Sequence, residues 1–499
     1  MKAVAIFRRA TSAIEILETR IAPAFVTGTL DLSSLSGGNG SQFSGGAAGD
    51  LVGQSVASAG DVNGDGLDDF IIGAPDSNGT AGGAYVVFGR IGFDPEVSLA
   101  GLTEDQGFAL VGENAGDRAG VSVGSAGDFN GDGFDDLLIG AEAADTNDGR
   151  FYVVFGKASG FGPSVALSSL GDGSGLIIER TEDDARLGRS VGRAGDFNAD
   201  GFDDLIVGAP TSFTFGDAFI YYGSANPTPS GLERTTLLGV PEAAQTGVSV
   251  SAAGDVNGDG IDDVIVGAKY ANEGGTQRGA AYVVFGKTGA VRGTINFTGL
   301  DPADGVKFSG TANNDYAGAS VSGAGDVNGD GFAEVIVGAY GADGQQFRGA
   351  AYVVFGSAAP VSLTLGALNG TNGFRVGQPV SGGGNATVSD FLGYSVNVAG
   401  DVNGDGLDDV IIGAKSADPA GRSAAGQSFV VFGRTSAFPT ILDPRTLTNF
   451  TGIIINGELA GDRSGAAVSA AGDVNGDTFA DFLVGAPEAS PNGAMSGQA

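Results

Sequence analysis

Short apolar runs bounded by glycine recur along the chain after residue 24, and each of them predicts a β-strand. The first unit shows their order: GQSVASAGD, an acidic loop, DDFIIGAP, a glycine-rich loop, AYVVFG, a longer loop and GFALVG. Some runs are continuously apolar instead of alternating, which is typical of strands covered on both faces; they span residues 70–72, 137–139, 205–207, 264–266 and 335–337. No segment after residue 24 has helical periodicity, so the pattern predicts an all-β fold.

The string AGDVNGDG, or a close variant, occurs seven times, and successive copies begin 59 to 75 residues apart. This spacing is too long for the roughly 40–45 residues of a WD40 blade, but it suits four strands and one long loop. Such a repeat favours four-stranded sheets arranged around an axis. We therefore expect a seven-bladed β-propeller over residues 25–499, preceded by an export-related extension over residues 1–24.

Two short motifs carry a resemblance to a known family. VVFG at residues 86–89 and GAP at residues 73–75 resemble the FG-GAP repeat of integrin α-subunit propellers, and GAP or a variant of it follows all seven acidic loops. The resemblance implies a seven-bladed toroid with calcium in hairpin loops on one face and ligand recognition on the other. The string LETRIAPA resembles a tag near the start of some large secreted bacterial proteins, and it favours an extracellular or cell-surface location.

Closure of the propeller is the open point of this prediction. The last unit reaches Ala499 where a strand like AYVVFG should begin, so one strand is missing from the seventh blade. Residues 42–45 offer an outer strand, and residues 25–28 (FVTG) could lend the third strand. The alternative is an incomplete seventh blade.

Each acidic loop has the form DxNxDGxxD, which places oxygen ligands at alternating positions, as Ca²⁺ requires. Gly66 supplies the left-handed turn in the first loop. An EF-hand would have a glutamate at position 12, where these loops have Ile or Val, and position 9 is acidic instead. We expect about seven Ca²⁺ ions, bound by side chains at positions 1, 3, 5 and 9 and by the backbone carbonyl at position 7. The predicted ligands are Asp61, Asn63, Asp65, Leu67, Asp69, Asp128, Asn130, Asp132, Phe134, Asp136, Asp196, Asn198, Asp200, Phe202, Asp204, Asp255, Asn257, Asp259, Ile261, Asp263, Asp326, Asn328, Asp330, Phe332, Glu334, Asp401, Asn403, Asp405, Leu407, Asp409, Asp473, Asn475, Asp477, Phe479 and Asp481.

The alternative interpretation is that these Asp and Asn residues only form turns between strands. It does not explain why three carboxylates converge in seven loops, because their repulsion would destabilise the fold without a cation. Two loops depart from the pattern. Thr478 replaces glycine and should be strained at positive φ, and Glu334 is one methylene longer than aspartate. Ala199, in the third loop, should be harmless.

Three other recurrent residues have simpler explanations. The acids at position 8 of five loops, such as Asp68, are expected to be solvated. The acids at Asp50, Asp117, Asp315, Asp390 and Asp462 are expected to be turn residues. The serines at Ser55, Ser122, Ser190, Ser249, Ser320 and Ser395 are expected to form hydrogen bonds within the blades.

Composition excludes several classes of protein. The chain has 59 acidic and 25 basic residues, a formal charge of −34, so a nucleic-acid partner is not expected. It has no histidine, which removes the usual general base and imidazole metal ligands, and no cysteine. No apolar run is long enough to span a membrane as a helix. We expect a monomer.

These observations favour a binding module that is not an enzyme, a calcium-binding scaffold for adhesion to a protein or polysaccharide ligand. A lectin is an alternative, although the chain has no tryptophan and only 10 tyrosines to stack on sugars. A hydrolase or lyase is the other alternative, since glycoside chemistry needs only a pair of carboxylates, and such a pair would lie in the central channel.

Overall fold

The structure is a computed structural model that describes residues 28–171, 173–179, 185–212, 215–241, 244–273, 276–289, 293–343, 347–378 and 389–499. The strands are, in chain order, β1 (Thr29–Asp31), β2 (Gln42–Ser44), β3 (Val56–Gly60), β4 (Asp69–Gly73), β5 (Gly83–Val87), β6 (Glu96–Ser98), β7 (Gly107–Val111), β8 (Ser122–Gly127), β9 (Asp136–Ala141), β10 (Arg150–Val154), β11 (Ser164–Ala166), β12 (Gly175–Glu179), β13 (Ser190–Gly195), β14 (Asp204–Ala209), β15 (Asp217–Tyr221), β16 (Arg234–Leu238), β17 (Thr246–Gly254), β18 (Asp263–Ala268), β19 (Asn272–Glu273), β20 (Thr276–Gln277), β21 (Ala280–Val284), β22 (Gly293–Asn296), β23 (Gly305–Ser309), β24 (Ser320–Gly325), β25 (Glu334–Ala339), β26 (Ala350–Val354), β27 (Leu363–Thr364), β28 (Gly373–Val376), β29 (Leu392–Gly400), β30 (Asp409–Ala414), β31 (Gln427–Val431), β32 (Ile441–Leu442), β33 (Gly452–Asn456), β34 (Ala467–Gly472) and β35 (Asp481–Gly485).

Among the described residues, the helical segments are short and lie in the connections between strands. One is a four-residue α-helix, α1 (Ala144–Asn147). The others are 3-10 turns at Leu32–Ser34, Asn78–Thr80, Leu99–Gly101, Leu167–Ser169, Phe297–Gly299, Leu365–Ala367, Pro419–Gly421 and Pro444–Thr446.

Six repeats each form a sheet of four antiparallel strands. In the first repeat β3 pairs with β4, β4 with β5 and β5 with β7, and Ile72 lies opposite both Val56 and Tyr85. The other five sheets are β8-β9-β10-β12, β13-β14-β15-β16, β17-β18-β21-β23, β24-β25-β26-β28 and β29-β30-β31-β33. The first strands of neighbouring repeats contact one another in a closed ring, in which β34 meets β3. The fold is therefore an all-β propeller.

A parallel fifth strand covers the outer edge of most blades. β11 pairs with β7, β22 with β16, β27 with β23, β32 with β28 and β1 with β33. In the second blade, no described strand covers the outer edge of β12. The corresponding connection of the third repeat contains Pro227 and Pro229, which have no backbone N–H to donate to a neighbouring strand. In the five blades that have it, the added parallel strand protects an edge that would otherwise be open to pairing with other chains.

The seventh repeat differs from the others, so the expectation of seven four-stranded blades is wrong: six blades are complete. β34 and β35 form a two-stranded sheet. Beyond it, Gln498 forms isolated bridges with Ala486 and Ser44, and Ala499 exchanges two backbone hydrogen bonds with Phe43 of β2. The seventh blade is incomplete because residues 498 and 499 are the only described residues in the position of its third strand. This segment is too short to pair with the whole of β35.

The N-terminal segment contributes to two neighbouring sheets. The strand expected at residues 42–45 is present as β2, and it lies in the outer position beside residues 498 and 499. The expected loan of residues 25–28 as a third strand falls mostly outside the described residues. Where it can be followed, the Gly28 carbonyl accepts a hydrogen bond from Ile454 N at 2.9 Å, and β1 continues along β33 of the sixth blade.

The hydrophobic core is divided into layers between adjacent repeats. One layer, for example, packs Ile265 and Val283 of the fourth repeat against Val337 and Tyr352 of the fifth. The second strands of the complete blades are buried along their whole length, as their continuously apolar sequences predict. β35 is only partly buried, because it lacks a full third strand beside it.

Candidate metal centre

Each acidic loop joins the first and second strands of a repeat, so all seven loops lie at the same end of their sheets. The first aspartate of the loop organises its turn. Asp61 Oδ1 accepts hydrogen bonds from Gly64 N at 2.7 Å and Asp65 N at 3.0 Å, and its Oδ2 accepts one from Gly66 N at 2.9 Å. The last of these bonds recurs in all seven loops. This part of the arrangement is what an ordinary Asx turn would also give.

The acid at position 9 has a different environment, because it begins the second strand and points into the blade. Asp69 is fully buried, and its two carboxylate oxygens accept hydrogen bonds from Val62 N at 3.0 Å and from Gly89 N at 2.8 Å. Gly89 is the glycine of the VVFG motif, 20 residues further along the chain. The equivalent glycine donates to the position 9 acid in Asp136, Asp204, Asp263 and Asp409 as well. The acid therefore ties the loop to the third strand.

Burial raises the pKa of every position 9 acid. The pKa is raised to about 8 for Asp69, Asp136, Asp204, Glu334 and Asp409, and to about 7 for Asp263 and Asp481. Loss of solvation is the largest cause, and the other carboxylates of the same loop raise the pKa further, as Asp65 and Asp61 do for Asp69. A cation between these acids would remove both penalties.

Some oxygen atoms of the loops have no hydrogen-bond donor among the described residues, and this also fits a bound cation. Asp136 Oδ2 and Asn475 Oδ1 are buried and accept no hydrogen bond from a described residue. Both belong to predicted ligands. In the fifth loop, carboxylate oxygens of Asp326, Asp330 and Glu334 all lie within 4.8 Å of one another, and this is the one acidic group in the described part of the chain that is so compact. Carboxylate, amide and backbone oxygens together are the donor set that suits Ca²⁺.

The exceptional loops keep the general plan with local changes. Glu334 Oε2 accepts from Val327 N at 2.7 Å, so the longer side chain still reaches the position 9 contacts. Thr478 has φ 76°, which confirms the expected strain, and Ala199 has φ 57°. The acid of the seventh loop, Asp481, accepts from Val474 N at 3.2 Å and from Asn475 Nδ2 at 2.8 Å. It has no bond from a third-strand glycine among the described residues.

Comparison with known proteins assigns the repeat. A sequence model described as "FG-GAP repeat" matches seven segments, at residues 52–87, 119–154, 188–223, 246–284, 317–354, 392–431 and 464–499, which together make up more than half of the chain. The chain belongs to the FG-GAP repeat family. Each match starts at the entry to the first strand and contains the acidic loop, and the first six end at the third strand.

Two curated relatives illustrate the range of proteins that carry this repeat. Integrin alpha-5 of Xenopus laevis is 32% identical over 223 residues, or 43% of this chain and 20% of the relative. Phosphatidylinositol-glycan-specific phospholipase D of Bos taurus is 34% identical over 171 residues, or 32% of this chain and 20% of the relative. The aligned part thus spans about a fifth of the length of either relative. No helix in the described ranges is long and apolar enough to cross a membrane.

The acids at position 8 of the FG-GAP loops have a role that the sequence did not reveal. Asp135 Oδ2 accepts a hydrogen bond from Asp61 N of the preceding repeat at 2.9 Å. The same bond joins Asp203, Asp262 and Asp408 to their preceding repeats. Asp68 accepts from Asp473 N at 2.8 Å, and this bond connects the seventh repeat to the first. The expectation that these acids are merely solvated is wrong, because they link neighbouring loops.

The recurrent serines also act between repeats. Ser122 Oγ accepts from Val191 N at 3.1 Å, and four later serines do the same for the next repeat. Ser55 instead donates to the Gly120 carbonyl at 2.9 Å. Four acids of the second group form turns, as predicted: Asp50 Oδ2, for example, accepts from Ala47 N at 2.9 Å.

Proposed function

We propose that this chain is a calcium-stabilised recognition scaffold of the extracellular space, with Ca²⁺ held in its FG-GAP loops. The burial of the position 9 acids carries the proposal, because a carboxylate with a pKa raised to about 8, such as Asp69, is costly to bury as an anion without a positive partner. The acids that surround it increase this cost. A divalent cation turns the same cluster into a source of stability.

We further propose that all seven loops bind calcium and that the seventh binds it most weakly. In five loops a third-strand glycine donates to the position 9 acid, Asp481 has no such bond among the described residues, and Thr478 adds strain to the seventh loop. The bond between Asp68 and Asp473 supports the view that the seventh repeat still acts as the seventh blade of a closed ring.

Calorimetric titration of the calcium-free chain tests this proposal. We expect about seven ions per chain, six with similar affinity and one with a lower affinity. Substitution Asp473→Ala should remove the weak class alone, and Asp61→Ala should remove one ion of the tighter class. A chain that binds no calcium, or that binds it most tightly at Asp473, would contradict the assignment.

The recognition role rests on the family and on the position of the loops. Calcium at one end of the sheets leaves the opposite end, formed by the connections after the second and fourth strands, for a ligand. Adhesion to a protein or polysaccharide is the role that the integrin relative suggests, and it extends to this chain only as a proposal. We propose that the chain is not an enzyme, since it has no histidine for the common hydrolytic mechanisms and its repeated carboxylates are engaged in the loops. We also propose that it works as a monomer, which sedimentation in the presence of calcium would test.

A further inference from the structure

The end of the propeller opposite the acidic loops is not the same all the way round. The residue after each GA pair, at the end of the second strand, is proline in three repeats and Glu142 in another, but it is Lys269, Tyr340 and Lys415 in the fourth, fifth and sixth. A second position on this end varies in the same way. It lies in the turn before each first strand and has positive φ in every repeat, and in the fifth repeat it is occupied by Tyr316, with φ 56°. Equivalent backbone positions thus present different chemistry in one sector of the ring.

Four tyrosines from these three repeats form a continuous group, which we call the tyrosine strip: Tyr270, Tyr316, Tyr340 and Tyr394. The ring centroids of Tyr270 and Tyr316 are 5.6 Å apart, those of Tyr316 and Tyr340 are 5.2 Å apart, and those of Tyr340 and Tyr394 are 5.6 Å apart. All four are partly buried and partly exposed. The strip holds four of the chain's 10 tyrosines, so aromatic surface is concentrated here although it is scarce overall.

Two lysines border the tyrosine strip. Lys415 Nζ lies 3.3 Å from the ring centroid of Tyr394, and Lys269 Nζ lies 4.7 Å from that of Tyr270. Neither lysine lies within ion-pair distance of a carboxylate among the described residues. Burial acts to raise the pKa of Tyr394, yet the pKa is lowered, because the charge and the hydrogen bond of Lys415, together with the charges of Arg189 and Lys269, outweigh the burial. The Tyr394 end of the strip therefore lies beside positive charge in a strongly acidic chain.

In the neighbouring sector of the same face, the cationic side chains form ion pairs within the chain. Arg118, Arg186 and Arg189 all surround Glu142, with N–O distances of 3.4, 4.0 and 3.5 Å. These arginines have a carboxylate partner within the chain, whereas no carboxylate of the described residues pairs with the two lysines of the strip. Because no described carboxylate neutralises these two lysines, we expect a ligand that brings its own negative charge.

We propose that the tyrosine strip and its two lysines bind a carboxylate-bearing polysaccharide, one built with uronic acid residues. The apolar C–H faces of the sugar rings stack on the tyrosines, the phenol hydroxyls bond to sugar hydroxyls, and Lys269 and Lys415 pair with carboxylates. An ammonium held over an aromatic ring keeps N–H donors for such a pair. The rings extend across three repeats, which suits a polymer of repeated rings better than a single small ligand. This inference rests on the proposed recognition function and specifies its ligand.

Calorimetry with the full, calcium-loaded chain tests the inference. The probe is a glucuronate-containing oligosaccharide of about ten sugars, which is compared with the same oligosaccharide after its carboxylates are methyl-esterified. We expect the acid form to bind and the ester to bind about tenfold more weakly, because the charge-assisted bonds are lost. Tyr340→Ala and the double substitution Lys269→Ala with Lys415→Ala should each weaken the acid form about tenfold.

A matched control is available at the other end of the sheets. Lys157 lies 4.8 Å from the Phe161 ring centroid, so Lys157→Ala removes a similar cation–π contact away from the strip and should leave binding unchanged. Failure of the acid form to bind, equal binding of acid and ester, or binding of poly-glutamate in place of the sugar would overturn the inference. The calcium titration described above does not depend on the sugar, so its result separates a wrong ligand from a wrong scaffold.

Discussion

The first and seventh loops have nearly the same sequence, but the structure supports them differently. In the first repeat Asp69 is fully buried and receives a hydrogen bond from Gly89 of the third strand. In the seventh, Asp481 is only partly buried, and it accepts a hydrogen bond from the side chain of Asn475 instead of from such a glycine. The hairpin motif therefore brings the acids of a loop close together, but it does not hold the position 9 acid by itself. That acid is held by a glycine of the third strand, about 20 residues later in the chain. Calcium should therefore matter more to the complete blades than to the seventh repeat.

The largest expected effect is that of removing calcium from all loops at once. With dissociation constants of roughly 10⁻⁴–10⁻³ M, each site adds about 0.4–1.4 kcal/mol to the free energy of unfolding at about 1 mM Ca²⁺. Seven sites add about 3–10 kcal/mol, so EDTA should lower the melting temperature by roughly 5–20 °C. Calorimetric melting with and without EDTA measures this effect. The same melting temperature after elemental analysis has confirmed calcium loss would show that the loops are ordinary turns.

Replacing the position 9 acid in each of the two loops measures how much each acid contributes to stability. In calcium, Asp69→Asn should lower the free energy of unfolding by about 2–4 kcal/mol, because a ligand and a buried charge-assisted hydrogen bond are lost together. Asp481→Asn should cost about 1 kcal/mol or less, since that acid is less buried and its site is weaker. Urea denaturation of both variants measures the difference.

The same pair provides its own control in EDTA. There Asp69→Asn should cost clearly less than in calcium, because the lost hydrogen bond is offset by removal of a carboxylate whose burial is unfavourable without a cation. If Asp69→Asn destabilises the chain equally with and without calcium, the acid serves the backbone alone and not a metal.

The features that depend on residues close together in the chain were predictable from the sequence. The hairpin loops, the continuously apolar second strands and the strain at Thr478 all follow from residues within a few positions of one another. The link between Asp68 and Asp473 was not predictable in this way, because 405 residues separate its two ends. The tyrosine strip was also missed, since Tyr270 and Tyr340 look like unrelated loop residues until equivalent positions of the repeats are superposed around the axis.

A smaller effect is expected from pH, and it too should depend on calcium. Without calcium, the pKa of Asp69 in the folded chain is raised to about 8, against an ordinary value of about 3.9 for an unfolded chain. Between these values the folded chain holds more protons than the unfolded chain, so its stability falls as the pH rises and is lowest above about 8. Melting temperatures in EDTA should therefore decrease from about pH 5 to about pH 8.5. With calcium bound the acids are ionised at the upper end of this range, so the decrease should be reduced or absent; a decrease of equal size in calcium would contradict this account.

The smallest expected effect concerns the strained residue of the seventh loop. Thr478 is β-branched and has φ 76°, a conformation that glycine adopts freely and that costs other residues about 1–2 kcal/mol. Thr478→Gly should therefore raise the free energy of unfolding by about 0.5–1 kcal/mol, after the loss of chain entropy that glycine brings, and it should tighten the seventh calcium site. Ala199→Gly, at φ 57° in a complete blade, is the matched control. It relieves a similar backbone conformation without a β-branched side chain, and it should change neither the weak calcium class nor the free energy of unfolding by more than about 0.5 kcal/mol. If Thr478→Gly leaves the weak class as weak as before, the missing bond from a third-strand glycine, and not the strain at residue 478, is what limits calcium binding in the seventh repeat.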